Sequence, residues 1–157
     1  MKEWRQLFQD NQKTKTMRDI KYIVVHCTAT PQTATVSSIQ NYWKNTLKWK
    51  MPGYHFMIKP DGEIIQLLEI EKISNGVKGF NSVSINISYI GGCEPHGQSK
   101  QMIPIDNRTP AQKRSLTDLL TKLKKEFPKA IIQGHRDFPN VKKACPSFNA
   151  KEEYKNL

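Results

Sequence analysis

The stretch that most constrains the fold is the apolar run that ends at His26. Its residues, Lys21-Tyr22-Ile23-Val24-Val25-His26, are rich in β-branched and aromatic side chains, which is typical of a β-strand. Because the apolar residues follow one another without polar alternation, the strand is predicted to be central and buried on both faces. A chain of 157 residues is long enough to build one domain with a substantial core around such a strand.

Hydrophobic patterns elsewhere predict further strands and helices. Strands are predicted over residues 54–58, 63–68, 84–92 and 131–132. Helices are predicted from about residue 35, from 109 to 127 and from about 150. The first helix is expected to bury an apolar face made of Ile39, Tyr42, Trp43 and Leu47, and the second a face made of Leu116, Leu119, Leu120, Leu123 and Phe127.

The element order β-α-β-β-β-α-β-α predicts a single α/β domain with a mixed, mostly five-stranded sheet flanked by helices. This domain is expected to span residues 20–157, with the polar residues 1–19 as an N-terminal appendage. Residues 93–107 contain two prolines and are predicted to be an irregular loop. The first residues lack an apolar signal region, and no apolar run reaches the roughly 20 residues of a membrane span. Synthesis in the cytoplasm without membrane insertion is therefore expected.

The charge balance favours a polyanionic partner. The chain has 25 Lys and Arg residues against 14 Asp and Glu residues, a formal net charge of +11. Nucleic acid, an anionic cell wall and a membrane surface all fit that charge. No recognised nucleic-acid motif accompanies it, and the run of Lys122, Lys124 and Lys125 is better interpreted as a solvated helix face. We therefore expect no specific nucleic-acid partner.

Three residues with metal-binding side chains lie at or shortly after the ends of predicted strands. His26 and His135 each come at the end of a strand, and Cys145 follows His135 in a proline-containing loop. A catalytic zinc ion takes three protein ligands plus water and accepts His nitrogen and Cys sulfur together. The spacing makes an open zinc site plausible, although a lone His at the end of an apolar strand is more often structural.

The other histidines and cysteines are weaker candidates. Cys27 should point to the opposite face from His26 and is interpreted as a small buried core residue. By the same alternation, His55 should face away if Tyr54 faces the site. Cys93 and His96 are interpreted as surface-loop residues, because no spacing ties them to the other candidates. A cysteine hydrolase that pairs Cys145 with a histidine remains a further option at this point.

Six short motifs occur in order along the chain. They are VVHCTAT (24–30), GYHF (53–56), IKPDG (58–62), SINI (84–87), TPAQ (109–112) and KACPSF (143–148). Together they resemble the zinc-dependent N-acetylmuramoyl-L-alanine amidases, a family that includes amidase-type phage lysozymes and the peptidoglycan recognition proteins. The resemblance covers residue 20 to about residue 150 and implies that family's fold.

The resemblance also implies a site and an activity. His26, His135 and Cys145 match the family's zinc ligands, which implies one Zn²⁺ per chain. Tyr54 and Lys143 match catalytic residues. The implied reaction is hydrolysis of the amide bond between N-acetylmuramic acid and L-alanine in peptidoglycan, as in a cell-wall lytic, endolysin-like enzyme. We expect a monomer that acts on the wall and its muropeptides.

Two points of the resemblance need separate mention. Many relatives carry a histidine in the loop before the fourth strand, where this chain has Asn75-Gly76-Val77-Lys78-Gly79. A substrate contact by that histidine is therefore not expected here. The alternative function is a non-catalytic peptidoglycan-recognition module. Such relatives usually lose a zinc ligand, whereas all three are present in this chain.

Overall fold

The structure, a computed structural model, describes residues 18–96 and 101–157. The predicted appendage lies outside the described residues except for Arg18 and Asp19. The strands are β1 (Tyr22–Cys27), β2 (Phe56–Ile58), β3 (Ile64–Gln66), β4 (Ser84–Tyr89), β5 (Cys93–His96), β6 (Gln101–Pro104) and β7 (Ile131–Gly134). The α-helices are α1 (Val36–Asn41), α2 (Pro110–Glu126) and α3 (Ala150–Glu153).

The main sheet has five strands in the order β3-β2-β4-β1-β7. Strand β1 is central and parallel to both β4 and β7, while β2 is parallel to β4 and antiparallel to β3. This arrangement confirms the predicted mixed, five-stranded sheet. Because β1, β4 and β7 are parallel, their carboxyl ends meet at one edge of the sheet.

The two faces of the sheet differ in character. On one face, Val25 and Ile87 pack in the main core with the buried leucines of α2, which are Leu116, Leu119, Leu120 and Leu123. Helix α2 starts as its sequence predicts, with Thr109 and Gln112 in a capping box and Pro110 in the first turn. The alternate residues of β1 and β4 turn to the other face and place polar side chains there.

Helix α1 differs from its prediction. It ends at Asn41 and continues as a π-helical segment, Tyr42–Thr46. Ile39 and Trp43 are buried as expected, but Tyr42 is 52% exposed and Leu47 is 37% exposed. The prediction for those two residues was wrong because a π-helical turn changes the 3.6-residue spacing on which it was based.

The segment predicted to be an irregular loop contains a β-hairpin. Strands β5 and β6 pair antiparallel in a separate two-stranded sheet, with Cys93 opposite Pro104 and Pro95 opposite Met102. The prolines are compatible with this sheet because each strand of a two-stranded ribbon has one unpaired edge. Cys93 is buried, so its assignment to a surface loop was wrong. The backbone of His96 belongs to β5 rather than to a loop.

A buried arginine ties the C-terminal segment to the domain. The Arg108 side chain is only 2% exposed and pairs with the carboxylates of Asp106 and Glu153, each at 2.8 Å. It also donates to the Tyr154 hydroxyl at 3.0 Å, and its guanidinium carbon lies 3.4 Å from the centre of the Phe148 ring. These contacts hold the chain that follows Cys145 against the end of the sheet.

Replacing Arg108 by Met is expected to lower the free energy of unfolding by about 2–4 kcal/mol. Breaking a fully buried ion pair typically costs about 3–5 kcal/mol, and the carboxylates left behind here are partly exposed. Urea unfolding at pH 7 measures the change. Lys59→Ala removes an exposed ion pair and is the matched control, for which we expect little change. Equal stability of both variants would contradict the structural role of Arg108.

The same substitution should have a pH-dependent effect. The hydrogen bonds from Arg108 lower the pKa of Glu153, and for Asp106 they outweigh the burial that raises its pKa. Carboxylates whose pKa is lower in the folded state stabilise that state at pH values above their ordinary pKa of about 4. This stabilisation is lost as the pH falls. The difference in free energy of unfolding between wild type and Arg108→Met should therefore become smaller at acidic pH.

Candidate metal centre and active site

His26 lies near the carboxyl end of β1 and faces away from α2. It is 1% exposed and pairs with Ser88 across the β1–β4 ladder. Its Nε2 atom lies 2.7 Å from Oδ1 of Asn86, and its Nδ1 atom lies 3.8 Å from Sγ of Cys145. One ring nitrogen of His26 is thus hydrogen-bonded inside the protein, and the other faces the cysteine.

His135 reaches the same place from the neighbouring strand. It directly follows β7 and opens a 3₁₀ turn, His135–Asp137. The turn is fixed by Asp137, whose Oδ2 accepts a hydrogen bond from the backbone N–H of Gly134 at 2.8 Å. The ring centre of His135 lies 4.9 Å from that of His26. The parallel register of β1 and β7 brings the two imidazoles together.

Cys145 is delivered by the loop that follows the turn. The backbone N–H of Arg136 donates to the carbonyl of Cys145 at 2.9 Å, and the backbone N–H of Cys27 donates to its Sγ at 3.2 Å. Gly134 allows the loop to approach the end of β7 closely, because a Cβ at position 134 would lie 2.7 Å from Cδ of Pro146. The cysteine is therefore held by backbone contacts to both histidine-bearing segments.

The geometry of the three residues fits a tetrahedral metal ion. Ligand atoms of His26, His135 and Cys145 all lie within 4.8 Å of one another, and no other group of this kind occurs in residues 18–96 and 101–157. Zinc–nitrogen bonds of about 2.0 Å and zinc–sulfur bonds of about 2.3 Å at tetrahedral angles place N and S roughly 3.5 Å apart. The 3.8 Å between Nδ1 of His26 and Sγ of Cys145 is close to that value. Three protein ligands leave a fourth position open.

The local electrostatics keep both imidazoles neutral. Burial and the neighbouring His135 lower the pKa of His26 to about 3. Burial and the charge of Lys143 lower the pKa of His135 to about 4. Cys27 and burial raise the pKa of Cys145, so that binding of a cation must displace a proton from its thiol. At neutral pH both histidines have free lone pairs for a metal.

Tyr54 lies beside this cluster. Its hydroxyl donates to the carbonyl of Cys27 at 3.2 Å, and its ring centre is 5.0 Å from that of His26 and 5.3 Å from that of Trp43. Gly53 gives Trp43 room, because a Cβ at that position would lie 3.0 Å from the indole. Burial raises the pKa of the Tyr54 hydroxyl, so it is a proton donor at neutral pH. Tyr54 precedes β2 by two residues and does not open the strand as predicted.

Lys143 is exposed and lies two residues before Cys145 in sequence. Its positive charge contributes to the lowered pKa values of both histidines, which places it within electrostatic reach of them. Its neighbour Lys142 is also exposed.

The remaining candidates stay outside the group of potential metal ligands. Cys27 is buried, as predicted, and its Sγ lies 3.9 Å from the hydroxyl of Ser147. Cys93 is buried near the start of the hairpin and is not part of the group. His55 is fully buried and bonds to the backbone of Lys72 and Asn86, away from the cluster as the alternation predicted.

The sequence interpretation missed Asn86 as a site residue. Ser84, Asn86 and Ser88 alternate with isoleucines along β4, and all three are fully buried. Polar residues at a spacing of two within an otherwise apolar strand indicate a buried polar face, because such side chains require hydrogen-bond partners. Two of these polar residues, Ser84 and Asn86, lie in the SINI motif, which predicted a strand and supported the resemblance but was not connected with the site.

Comparisons with known proteins agree with the fold and identify the family. The model of the family described as N-acetylmuramoyl-L-alanine amidase matches residues 16–148. The endolysin of Klebsiella phage KP32 is 35% identical over 135 residues, which cover 85% of each chain. The endolysin of the Thermus scotoductus bacteriophage Ph2119 is 27% identical, with a TM-score of 0.65 over 85% of this chain and 84% of that one. Bumblebee PGRP-SA shares the fold, with a TM-score of 0.69 at 18% identity over 90% and 84% of the two chains.

Fold and site together define an α/β domain with a His₂Cys cluster at the carboxyl edge of a mixed five-stranded sheet. The chain belongs to the N-acetylmuramoyl-L-alanine amidase family, as its motifs indicated. Among the described residues, no helix is both long and apolar enough to cross a membrane.

Proposed function

We propose that this protein is a zinc-dependent amidase that cleaves the bond between the lactyl group of N-acetylmuramic acid and L-alanine in peptidoglycan. The observation that carries the proposal is the convergence of His26, His135 and Cys145 in a chain of this family. Endolysins are among its relatives, and release by a phage or prophage lysis system would bring such an enzyme to the cell wall. The high positive charge favours contact with an anionic wall.

The proposed ligands are Nδ1 of His26, an imidazole nitrogen of His135 and Sγ of Cys145, with one zinc ion per chain. When bound, zinc supplies a Lewis acid that activates water and polarises the scissile carbonyl. Two neutral imidazoles and one thiolate leave a net charge of about +1, which preserves that Lewis acidity. The backbone N–H of Cys27 stabilises the thiolate of Cys145 through its hydrogen bond.

Two further side chains are proposed to act on the reacting atoms. The proposed role of the protonated Tyr54 hydroxyl is to donate a hydrogen bond to the carbonyl oxygen as negative charge develops on it, or to orient the attacking water; its ring lies 5.0 Å from that of His26. To do so it exchanges its present bond to the Cys27 carbonyl for one to the substrate. The ammonium group of Lys143 stabilises the same developing charge from the exposed side.

Mass spectrometry of digested muropeptides tests the proposal. Hydrolysis at this bond must yield a free carboxylate on the lactyl group and a peptide with a free α-amino group on L-alanine. Metal analysis should find one zinc per chain, and a chelator should stop the reaction. Cleavage within the peptide or the glycan would contradict the proposal. Full activity in a metal-free protein that is sensitive to alkylation would also contradict it and would favour a cysteine hydrolase.

The catalytic domain is proposed to span residues 20–157 and to act as a monomer. Arg18 adds a contact at its start, since its guanidinium donates to the carbonyls of Ile70 and Ser84 at 3.0 and 2.9 Å. A non-catalytic recognition module is the weaker alternative, because all three potential ligands are present and close together. Binding of peptidoglycan without any release of peptide by zinc-loaded protein would favour that alternative.

A further inference from the structure

A chain of buried side-chain hydrogen bonds runs from His26 into the protein. Nε2 of His26 lies 2.7 Å from Oδ1 of Asn86, and Nδ2 of Asn86 donates to the hydroxyl of Ser74 at 2.7 Å. That hydroxyl lies 3.3 Å from Nδ1 of His55, whose Nε2 lies 2.8 Å from the carbonyl of Lys72. The four linked side chains are each at most 1% exposed.

Two backbone groups next to His55 indicate its tautomer. The carbonyl of Lys72 only accepts, and it lies 2.8 Å from Nε2 of His55, closer than the Arg18 guanidinium at 3.4 Å, so the proton of this ring is assigned to Nε2. The backbone N–H of Asn86 donates to Nδ1 of His55 at 3.0 Å, so that nitrogen is unprotonated. The Ser74 hydroxyl can then donate to Nδ1 of His55 and accept from the amide of Asn86.

The contacts of Asn86 set the direction of the hydrogen bond at His26. With its amide nitrogen bonded to Ser74, Asn86 presents its carbonyl oxygen to Nε2 of His26. A carbonyl oxygen accepts, so Nε2 of His26 carries the proton and Nδ1 keeps its lone pair. Nδ1 is the atom that faces Sγ of Cys145. The chain thus selects the one tautomer of His26 that can bind a metal through Nδ1.

The loop opposite Asn86 is shaped to admit this side chain. A Cβ at Gly76 would overlap the Asn86 carboxamide, so any other residue at position 76 would displace it. The hydroxyl of Ser74 is supplied by the same loop, two residues earlier. Asn86, Ser74 and Gly76 therefore form one packed unit beneath His26.

We propose that Asn86, oriented by Ser74 and His55, is a positioning residue that presets the tautomer and ring orientation of His26 for metal binding. The inference rests on the proposed zinc site and extends it by assigning the residues that prepare one of its ligands. Groups that hydrogen-bond the second nitrogen of a ligating histidine typically change metal affinity about 10- to 100-fold. Asn86 touches neither the metal nor the substrate in this assignment.

The first test measures the tautomer in metal-free protein. Long-range ¹H–¹⁵N NMR correlations of the histidine rings should show His26 of the wild type protonated at Nε2 alone. Asn86→Ala should mix the two tautomers, whereas Asn86→Asp should restore protonation at Nε2 because a carboxylate also accepts. Protonation of wild-type His26 at Nδ1 would overturn the proposal without any assay of activity.

The second test measures zinc affinity by competition with a chelating dye. Asn86→Ala should bind zinc about 10- to 100-fold more weakly, with Ser74→Ala weakened in the same direction and Asn86→Asp close to wild type. Ser84→Ala is the matched control, because Ser84 is equally buried on the same face of β4 and its hydroxyl bonds to Phe80 instead. Thermal unfolding of each metal-free variant separates loss of stability from loss of affinity.

The outcomes distinguish this inference from the proposed function. Wild-type affinity in folded Asn86→Ala, or an equal loss in Ser84→Ala, would overturn the positioning role and leave the amidase proposal standing. Failure of wild-type protein to bind zinc at all would overturn the metal site on which both depend. If Asn86→Ala does not fold, Ser74→Ala, which leaves Asn86 in place, decides between these outcomes by the same two measurements.

Discussion

Replacing Cys145 by Ala is expected to abolish bound zinc and reduce hydrolysis of muropeptides to the assay background. The substitution leaves only two protein ligands, and two are too few for the open three-ligand site that a catalytic zinc requires. The same result is expected for His26→Ala and His135→Ala. Metal analysis and product release measured on one preparation test the expectation, and a circular dichroism spectrum shows that the domain remains folded.

Cys93→Ala is the matched control for this prediction. Cys93 is also a buried thiol, but it lies outside the metal-ligating group at the start of the hairpin. The control should retain zinc and full activity, apart from a small loss of stability. A zinc-free Cys145→Ala protein that still hydrolyses muropeptides at the wild-type rate would disprove the metal mechanism.

The second large effect concerns residues that act without binding metal. Tyr54→Phe and Lys143→Ala should keep one zinc per chain and still bind peptidoglycan, yet lower kcat by about 10²–10³-fold each. The reason is that both groups are proposed to stabilise charge that exists only in the transition state, so the loss appears in kcat rather than in ground-state binding. Turnover of soluble muropeptide at saturating substrate measures the effect.

Each of these substitutions has a control in the chain. Lys142→Ala removes an equally exposed positive charge from the adjacent residue and should leave kcat nearly unchanged. Tyr89→Phe removes another buried hydroxyl, which donates to the carbonyl of Pro146 at 2.6 Å, and should mainly reduce stability. If Tyr54→Phe and Lys143→Ala turn over substrate at wild-type rates, Lys143 is an ordinary surface charge and Tyr54 is a packing residue.

The main sheet was predictable because its signals are local and strong. The apolar run before His26 indicated a central strand, and β1 is indeed flanked by β4 and β7. Helix α2 was predicted from 109 to 127 with a buried leucine face, and both its start and its buried side agree with the structure. These features depend on neighbouring residues and need no knowledge of the rest of the chain.

The errors came where long-range packing overrides local patterns. The π-helical segment after Asn41 exposes Tyr42 and Leu47, and no sequence periodicity distinguishes it from a continued α-helix. The hairpin of β5 and β6 contains prolines that normally mark a loop. In both cases the backbone geometry is set by contacts that a local window of sequence does not contain.

The candidate site was predictable only in part. The strand positions of His26 and His135 made them candidates. Strand alternation and spacing favoured Cys145 over Cys27 and Cys93, and the resemblance then matched Cys145 to the family's third ligand. The structure brings His26, His135 and Cys145 together, whereas their roles and those of Tyr54 and Lys143 remain predictions. The direction of the hydrogen bonds through Asn86 was not predictable from the sequence, because it depends on contacts between segments that are far apart in sequence.

The position of the cluster along the chain has a consequence for how the protein is made. His26 and Cys145 approach each other although they lie 119 positions apart in sequence, one in the first strand and the other beyond the last strand. A ribosome extends a chain by about 5–20 residues per second, so several seconds separate the synthesis of the two groups. The cluster therefore cannot assemble until the segment that carries Cys145 has been made. Under the proposed mechanism, a polypeptide terminated before Cys145 lacks one zinc ligand and is expected not to hydrolyse peptidoglycan.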